Sequence, residues 1–228
     1  MGLFVIGDPH LSFGTDKPMD IFSGWTDYTE KLSTQWRDVV SANDTVVVAG
    51  DISWGMTLDQ SLPDFQFLHE LPGRKIFLKG NHDYWWTTKT RMDRYFAEHG
   101  LDTLHILHNN AYTSQGFSLC GTRGWINETG EPEDQKVLLR EAGRLEASLK
   151  AGLETGLPPL VFLHYPPVYL DDVNRPLLDV LKRYDVKKCY YGHIHGKAAQ
   201  RAVRGLRDGI EYDLVACDFV GFKPVRIA

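Results

Sequence analysis

Residues 80–83 read Gly-Asn-His-Asp, inside the run KIFLKGNHDYWW. A short apolar strand, Ile76 to Leu78, delivers them. Asn81 offers a neutral oxygen, His82 an imidazole and Asp83 a carboxylate, while Gly80 removes the side chain beside them. An Asx-type turn after a strand would use the same residue types, so this stretch alone does not decide between turn and site. Four other short apolar runs end the same way. They stop at Asp8 and His10 (Gly7-Asp8-Pro9-His10), at Asp51 after Gly50, at His164, and at His193 and His195 (Gly192-His193-Ile194-His195).

The set is two Asp, one Asn and four His, with no cysteine. Mixed oxygen and imidazole donors suit zinc, iron, manganese or nickel rather than calcium. A catalytic zinc takes three protein ligands, so seven candidates are too many for one ion and about right for two. Two metals roughly 3.5–4 Å apart can clamp the attacking and departing oxygens of a displacement at phosphorus, and can lower the pKa of bound water. Any one of these residues alone would pass as a structural histidine or a turn carboxylate. Five coincident strand ends make that reading poor, because clustered Asp and His mark metal or catalytic sites.

The elements that must position them follow from periodicity. Leu3 to Ile6 and Thr45 to Ala49 are continuous apolar runs, as in strands buried on both faces. Lys75 to Leu78, Leu160 to Leu163 and Lys188 to Tyr191 are the other strands that end in ligands. Helices are expected from Thr26 or Asp27 to about Ala42, and from Thr57 to about Leu71 with Pro63 kinking or splitting it. Another is expected from Thr87 or Thr88 to near Gly100. Pro132 to Glu154 carries the clearest stripe, Leu138, Ala142, Leu145, Leu149 and Leu153; Arg175 to Tyr184 is the last helix. Leu104 to Leu107 and Ala111 to Ser114, joined by Asn109-Asn110, read as an antiparallel hairpin, with Phe117 to Gly121 beside it. The tail from Ala198, with the turn Arg207-Asp208-Gly209, reads as further antiparallel strands. Leu11 to Trp25 is a long stretch without period, which points to a functional or disordered loop. Ligands in α/β sheets bind beyond the carboxyl ends of strands, so scattered residues become one pocket.

Composition sets the frame. The chain has 228 residues, 43% apolar, with formal net charge −5. One large domain is expected. A basic surface for general nucleic-acid binding is absent from this balance. Cys120, Cys189 and Cys217 are odd in number and widely spaced, so neither a disulfide framework nor a zinc-thiolate site is expected. The start, MGLFVIGDPH, lacks the basic region of a signal peptide, and no apolar run nears the ~20 residues of a membrane span. The sequence is read as soluble and cytoplasmic, without a membrane role, and the sequons Asn43-Asp44-Thr45 and Asn127-Glu128-Thr129 then carry no meaning. Oligomeric state cannot be read. Gly192 to Ala198 fails as a P-loop, one residue short and with Ala for Ser or Thr.

Asp8-Pro9-His10, Gly50-Asp51, Gly80-Asn81-His82-Asp83, His164 and Gly192-His193-Ile194-His195 resemble, in order, the five blocks of the calcineurin-like metallophosphoesterases. Each block is weak alone; the ordered set is specific. The resemblance implies an α/β fold: a four-layer α-β-β-α sandwich with two mixed β-sheets flanked by helices. It implies two divalent or trivalent transition-metal ions. Asp8, His10, Asp51 and His195 would hold one; Asp51, Asn81, His164 and His193 the other, with Asp51 bridging. It also gives His82 a catalytic role, protonating the departing oxygen or bonding the phosphoryl group while metal-bound hydroxide attacks, with Asp83 orienting its ring. Among relatives the likeness is to compact bacterial phosphohydrolases, acting on a small phosphorylated substrate: a mono- or diester, nucleotide-like or sugar-phosphate in kind. A non-catalytic scaffold with the same fold, or a single-metal hydrolase of a non-phosphate ester, are the alternatives. Aromatics beside the motifs (Trp54, Trp85, Trp86, Trp125, Tyr165) would shape the pocket, and Arg123 with Trp125 is expected to contact substrate through a planar guanidinium fork.

Overall fold

The structure, a computed structural model, describes residues 1–126, 132–170 and 172–228. The sequon at 127–129 lies outside the described residues. Strand β1 (Leu3–Ile6) is followed by α1 (Tyr28–Val39), β2 (Thr45–Ala49), α2 (Leu58–Glu70), β3 (Arg74–Leu78), α3 (Lys89–Glu98) and β4 (Leu104–Ile106). Next come β5 (Tyr112–Ser114), β6 (Phe117–Thr122), α4 (Pro132–Leu153), β7 (Pro159–Leu163), the short β8 (Val168–Tyr169) and β9 (Asp172–Val173), and α5 (Arg175–Arg183). The chain ends with β10 (Lys188–Tyr191), a 3₁₀ turn over Gly196–Arg201, β11 (Gly205–Arg207), β12 (Ile210–Leu214) and β13 (Val225–Arg226).

Two mixed sheets form, in the orders β13-β1-β2-β3-β4 and β11-β12-β10-β7-β6-β5. Alternation along the buried strands makes the layers. In β1, Leu3 and Val5 face the second sheet and pack with Leu119, Leu160, Phe162 and Tyr190. Phe4 and Ile6 face the other way, into a cluster with Trp36 of α1, Phe65 of α2 and Phe96 of α3. The outer face of the second sheet, with Val161, Leu163, Cys189 and Tyr191, packs on Leu145 and Leu149 of α4 and Leu177 and Leu181 of α5. The result is the expected α-β-β-α order.

Helix starts follow side-chain capping where a polar residue is in place. Thr57 accepts from the Gln60 amide at 3.2 Å, Thr88 from Arg91 at 3.4 Å and Asn174 from Leu177 at 3.1 Å, each satisfying an otherwise orphaned first-turn donor. The α1 start differs: Asp27 is left-handed (φ 53°) and its side chain makes no cap. Pro63 sits within α2 without dividing it. Leu153 closes the stripe of α4 in the sequence but is exposed.

The expected hairpin between Leu104 and Ser114 does not form. β4 lies parallel to β3 in the first sheet, while β5 pairs antiparallel with β6 in the second. Residues 107–111 are a crossover between sheets. The hairpin lies one step later, turning at Gln115 and Gly116, both at positive φ, as a two-residue hairpin turn requires. The tail also divides. β11 and β12 extend the second sheet, β12 running parallel to β10, while β13 closes the first sheet against β1.

Candidate metal centre

The five ligand-bearing strands, β1, β2, β3, β7 and β10, deliver their carboxyl ends to one place. Main-chain bonds tie the strand ends there: the Gly7 amide donates to Val215 O at 2.7 Å between the sheets, and the Gly192 amide to His164 O at 3.1 Å within the second. The turns are tight. Asp8, His10, Asp51 and His193 all sit in the left-handed region, at φ 57°, 46°, 49° and 70°. Such conformations cost energy in non-glycine residues and gather at functional sites. Two glycines make the approach feasible. A Cβ on Gly80 would lie 2.1 Å from Asp51 Oδ1, and one on Gly192 would lie 2.3 Å from Asp8 Oδ2.

Two donor groups result, Asp8 with His10 and His195, and Asp51 with His164 and His193; within each, the candidate ligand atoms lie within 4.8 Å of one another. Asp51 stands between them. Its Oδ2 is 3.6 Å from His10 Nε2 and 3.5 Å from His164 Nε2. Its Oδ1 accepts the His82 amide at 2.8 Å, so Oδ2 is the oxygen turned to both groups. Asn81 Oδ1 joins the second group, 2.6 Å from His164 Nε2 and 3.0 Å from His193 Nδ1. The structure thus brings all seven expected ligands together.

The protonation pattern fits cations. His164 Nδ1 lies 3.1 Å from the Ala49 carbonyl; a carbonyl only accepts, so Nδ1 carries the proton and Nε2 presents a lone pair. Nε2 then faces the Asn81 oxygen, another lone pair, at 2.6 Å. A cation held by both atoms, or the opposite orientation of the amide, satisfies that pair. Burial drives the His164 pKa down to about 3 and, with His164 beside it, the His193 pKa down to about 3. Burial and then the His195 charge hold His10 well below its usual range. These are neutral rings, the form that ligates metal. Asp51 is pushed well up by burial and then by Asp83 and Asp8, a crowding of carboxylates that positive charge would relieve.

His195 differs. Burial pulls its pKa down, but the carboxylates of Asp218 and Asp8 outweigh that and raise it to about 10. Asp218 Oδ1 is 2.8 Å from His195 Nδ1, and Nε2 is buried without a hydrogen-bond partner among the described residues. A carboxylate that fixes Nδ1–H is the usual support of a metal-bound histidine, and a cation at Nε2 would take the place of the ring's second proton. Sequence reading missed Asp218. Its signal was present: the run DLVACD ends in an acid, as FVIGD and VVVAGD do.

His82 stands at the mouth, half-buried. Its ring centroid is 4.4 Å from Trp54 and 5.8 Å from His10, and its Nδ1 is 3.5 Å from Tyr84 Oη. Burial lowers its pKa, opposed by Asp8. Asp83 does not orient this ring, contrary to expectation. Its Oδ1 accepts the Ile52 amide at 2.8 Å, the Ser53 amide at 3.2 Å and the Trp85 indole at 3.0 Å, and its Oδ2 accepts the Gly80 amide at 2.7 Å. Fully buried, it ties the loop after β2 to the loop after β3.

The aromatics divide. Trp85 is core, edge-on to Phe65 at 4.8 Å; Trp54 stacks on His10 at 5.1 Å. Beyond the second group, Tyr165 lies 4.2 Å from His193 and Trp125 5.4 Å from Tyr165. Arg123 covers Trp125 at 4.7 Å. Its guanidinium is 3.6 Å from buried Glu141, which also takes Arg144 at 2.6 Å and Thr122 Oγ1 at 2.7 Å.

Comparison with known proteins agrees with this geometry. A family model described as Calcineurin-like phosphoesterase matches residues 1–197. No curated protein matches the sequence. Solved structures with a similar fold include the phosphopantetheinyl hydrolase (PptH) from Mycobacterium tuberculosis, at 16% identity and TM-score 0.56, over 99% of this chain and 95% of that one. TT1561 of Thermus thermophilus is similar at 16% identity and TM-score 0.56, over 99% and 97%. The protein of unknown function AQ665 from Aquifex aeolicus matches at 16% identity and TM-score 0.52, over 99% and 95%.

Proposed function

This chain belongs to the calcineurin-like phosphoesterase family, and from that premise we propose that it is a dinuclear, metal-dependent phosphoesterase acting on a small phosphorylated substrate. The observation that carries the reading is Asp51 Oδ2, about equally far from a histidine of each donor group, at 3.6 and 3.5 Å. One ion would be held by Asp8, His10, Asp51 and His195, the other by Asp51, Asn81, His164 and His193. Bound there, manganese, iron, zinc or nickel would supply Lewis acidity toward phosphoryl oxygens and an acidified water.

The chain's own residues do the rest. His82, at the mouth, donates a proton to the departing oxygen as the bond from phosphorus to that oxygen breaks and the oxygen of water takes its place on phosphorus. Burial lowers the His82 pKa, and a phosphate anion beside it raises it again. Asp83 acts on this step only through the loop it ties. Arg123 and Trp125 would flank substrate on the His193 side, the guanidinium shared with Glu141. The neighbour described as a phosphopantetheinyl hydrolase, at 16% identity, supports the fold and leaves the substrate to be argued from this site. Three buried free thiols support the cytoplasmic setting read from the sequence.

The test is elemental analysis of the purified protein, followed by a panel of phosphomonoesters and diesters with added manganese. Two equivalents of metal and a chelator-sensitive hydrolysis are expected. Fewer than two equivalents at saturation, or hydrolysis indifferent to chelation, would remove the dinuclear reading.

A further inference from the structure

A cleft of about 490 Å³ opens directly over the His10 and His195 side of the centre. Its wall is apolar: Met19, Phe22 and Trp25 from the long loop after β1, and Trp54 from the loop after β2. His82 forms part of its floor. Phe22 is 53% exposed, a large apolar side chain at the surface beside a cluster of metal-ligand residues. The loop itself is anchored from below. Trp25 is 4% exposed and packs edge-on to Phe222 at 5.1 Å, and the Phe13 amide donates to Asp64 at 2.7 Å. A loop held this way presents a fixed wall.

The mouth carries positive charge. Lys197 lines it, and Lys17 Nζ lies 5.6 Å from the centre of the Trp54 ring. In a chain of net charge −5, two lysines at a metal-site mouth suit an anion entering there. Beyond the residues of the centre itself, the polar side chains on the cleft are Ser23 and Lys197, which offer no paired donor and acceptor of the kind that reads a base edge. No Asn, Gln or Arg lines the cleft among the described residues, and the Asp218 carboxylate is taken by His195 and the Gly196 amide. A base edge against Met19, Phe22 and Trp25 would leave donors and acceptors unpaired, which disfavours such a ligand strongly.

Resting on the phosphoesterase reading, we propose that this cleft receives the departing group of the substrate, and that this group is a bulky apolar one, a flat ring or a short hydrocarbon. The phosphate lies at the centre, the ester oxygen faces His82, and the apolar group packs between Trp54 and the Met19 to Trp25 wall. The loop after β1 is then a specificity element.

The experiment measures binding of non-hydrolysable phosphonates to the manganese-loaded protein by calorimetry and tryptophan quenching. A naphthylmethylphosphonate should bind about tenfold or more tighter than methylphosphonate, the scale on which apolar pockets discriminate. The phosphonate analogue of a nucleoside monophosphate should gain less than the naphthyl compound. Phe22→Ala, at an exposed position, should reduce the naphthyl preference several-fold and leave methylphosphonate binding unchanged; Trp54→Leu is the second variant. Equal binding of the two simple phosphonates, tighter binding of the nucleoside analogue, or an unchanged preference in both variants would overturn the proposal. Turnover of bis(p-nitrophenyl) phosphate by the same preparation is read separately. Absence of turnover of both this diester and p-nitrophenyl phosphate would count against the phosphoesterase reading, while the phosphonate ranking still decides the cleft.

Discussion

His195 Nδ1 donates to Asp218 Oδ1 at 2.8 Å, and the other oxygen of Asp218 accepts the Gly196 amide at 2.8 Å. The carboxylate thereby fixes both the ring of His195 and the start of the 3₁₀ turn that follows. Asp218 lies beyond the residues, 1–197, that match the family, in the stretch between β12 and β13. A part of the chain that completes the sheets therefore also aims a histidine of the donor cluster.

Asp218→Ala should weaken the first metal by about 10–100-fold, the usual effect of losing such a partner. Calorimetric titration with manganese resolves this: one site should weaken and the other hold. Asp218→Asn, whose oxygen still accepts from His195, should recover part of the affinity. Equal weakening of both sites, or none, would contradict the pairing.

Asp51→Asn acts on both sites at once, because the same oxygen faces a histidine of each. Asn keeps the shape and one neutral oxygen, so the His82 amide still finds an acceptor. Metal content after dialysis should fall at both sites, and turnover with it. Full metal content with normal turnover would show that Asp51 is not the bridge.

Much of this centre was legible in the sequence for one reason: continuous apolar runs stop abruptly at Gly-Asp, Gly-Asn or His, and the unbroken apolar runs of β1 and β2 are strong enough to read without a partner. What failed needed partners. Asn109-Asn110 carries hairpin chemistry, and Asn109 does adopt φ 60°, yet its flanks pair in different sheets. Local turn residues do not encode which sheet edge a strand will meet. Asp83 was misread because its neighbour in sequence is His82, whereas its hydrogen bonds reach Ile52 and Ser53 about thirty positions away. Asp218 was missed because it lies 23 positions from His195, with a hairpin between.

His82→Ala should leave metal content intact and lower turnover by about 10²–10⁴-fold, the usual contribution of general acid catalysis. The loss should be larger for an alkyl than for a p-nitrophenyl leaving group, because the better leaving group needs its proton less. Equal loss for both would make His82 a phosphate contact rather than the acid.

Lys75 gives a test of the fold independent of metal. It is 0% exposed, and its Nζ donates to Leu71 O at 2.6 Å and His69 O at 3.2 Å. It thereby satisfies carbonyls at the end of α2, where a cation is also favoured by the helix dipole. Burial nevertheless lowers its pKa from 10.5 to about 8. The sign follows from linkage. Between pH of about 8 and 10.5 the unfolded chain holds a proton that the folded chain has released, so this group makes stability rise with pH across that window, by at most ~1.4 kcal/mol per pH unit. Below that window its contribution is flat. Lys75→Met removes both the titration and the cap. Urea unfolding of the two proteins at pH 7.5 and pH 10 isolates the effect, since other titrating groups cancel in the difference. The methionine variant should lose about 1–3 kcal/mol at pH 10, where the uncharged amine still caps α2, and less at pH 7.5, where the wild type also bears the burial of a charge. A gap that is the same at both pH values would mean that Lys75 titrates alike in the folded and unfolded chain, and that its bonds to the α2 carbonyls offset the whole cost of burial.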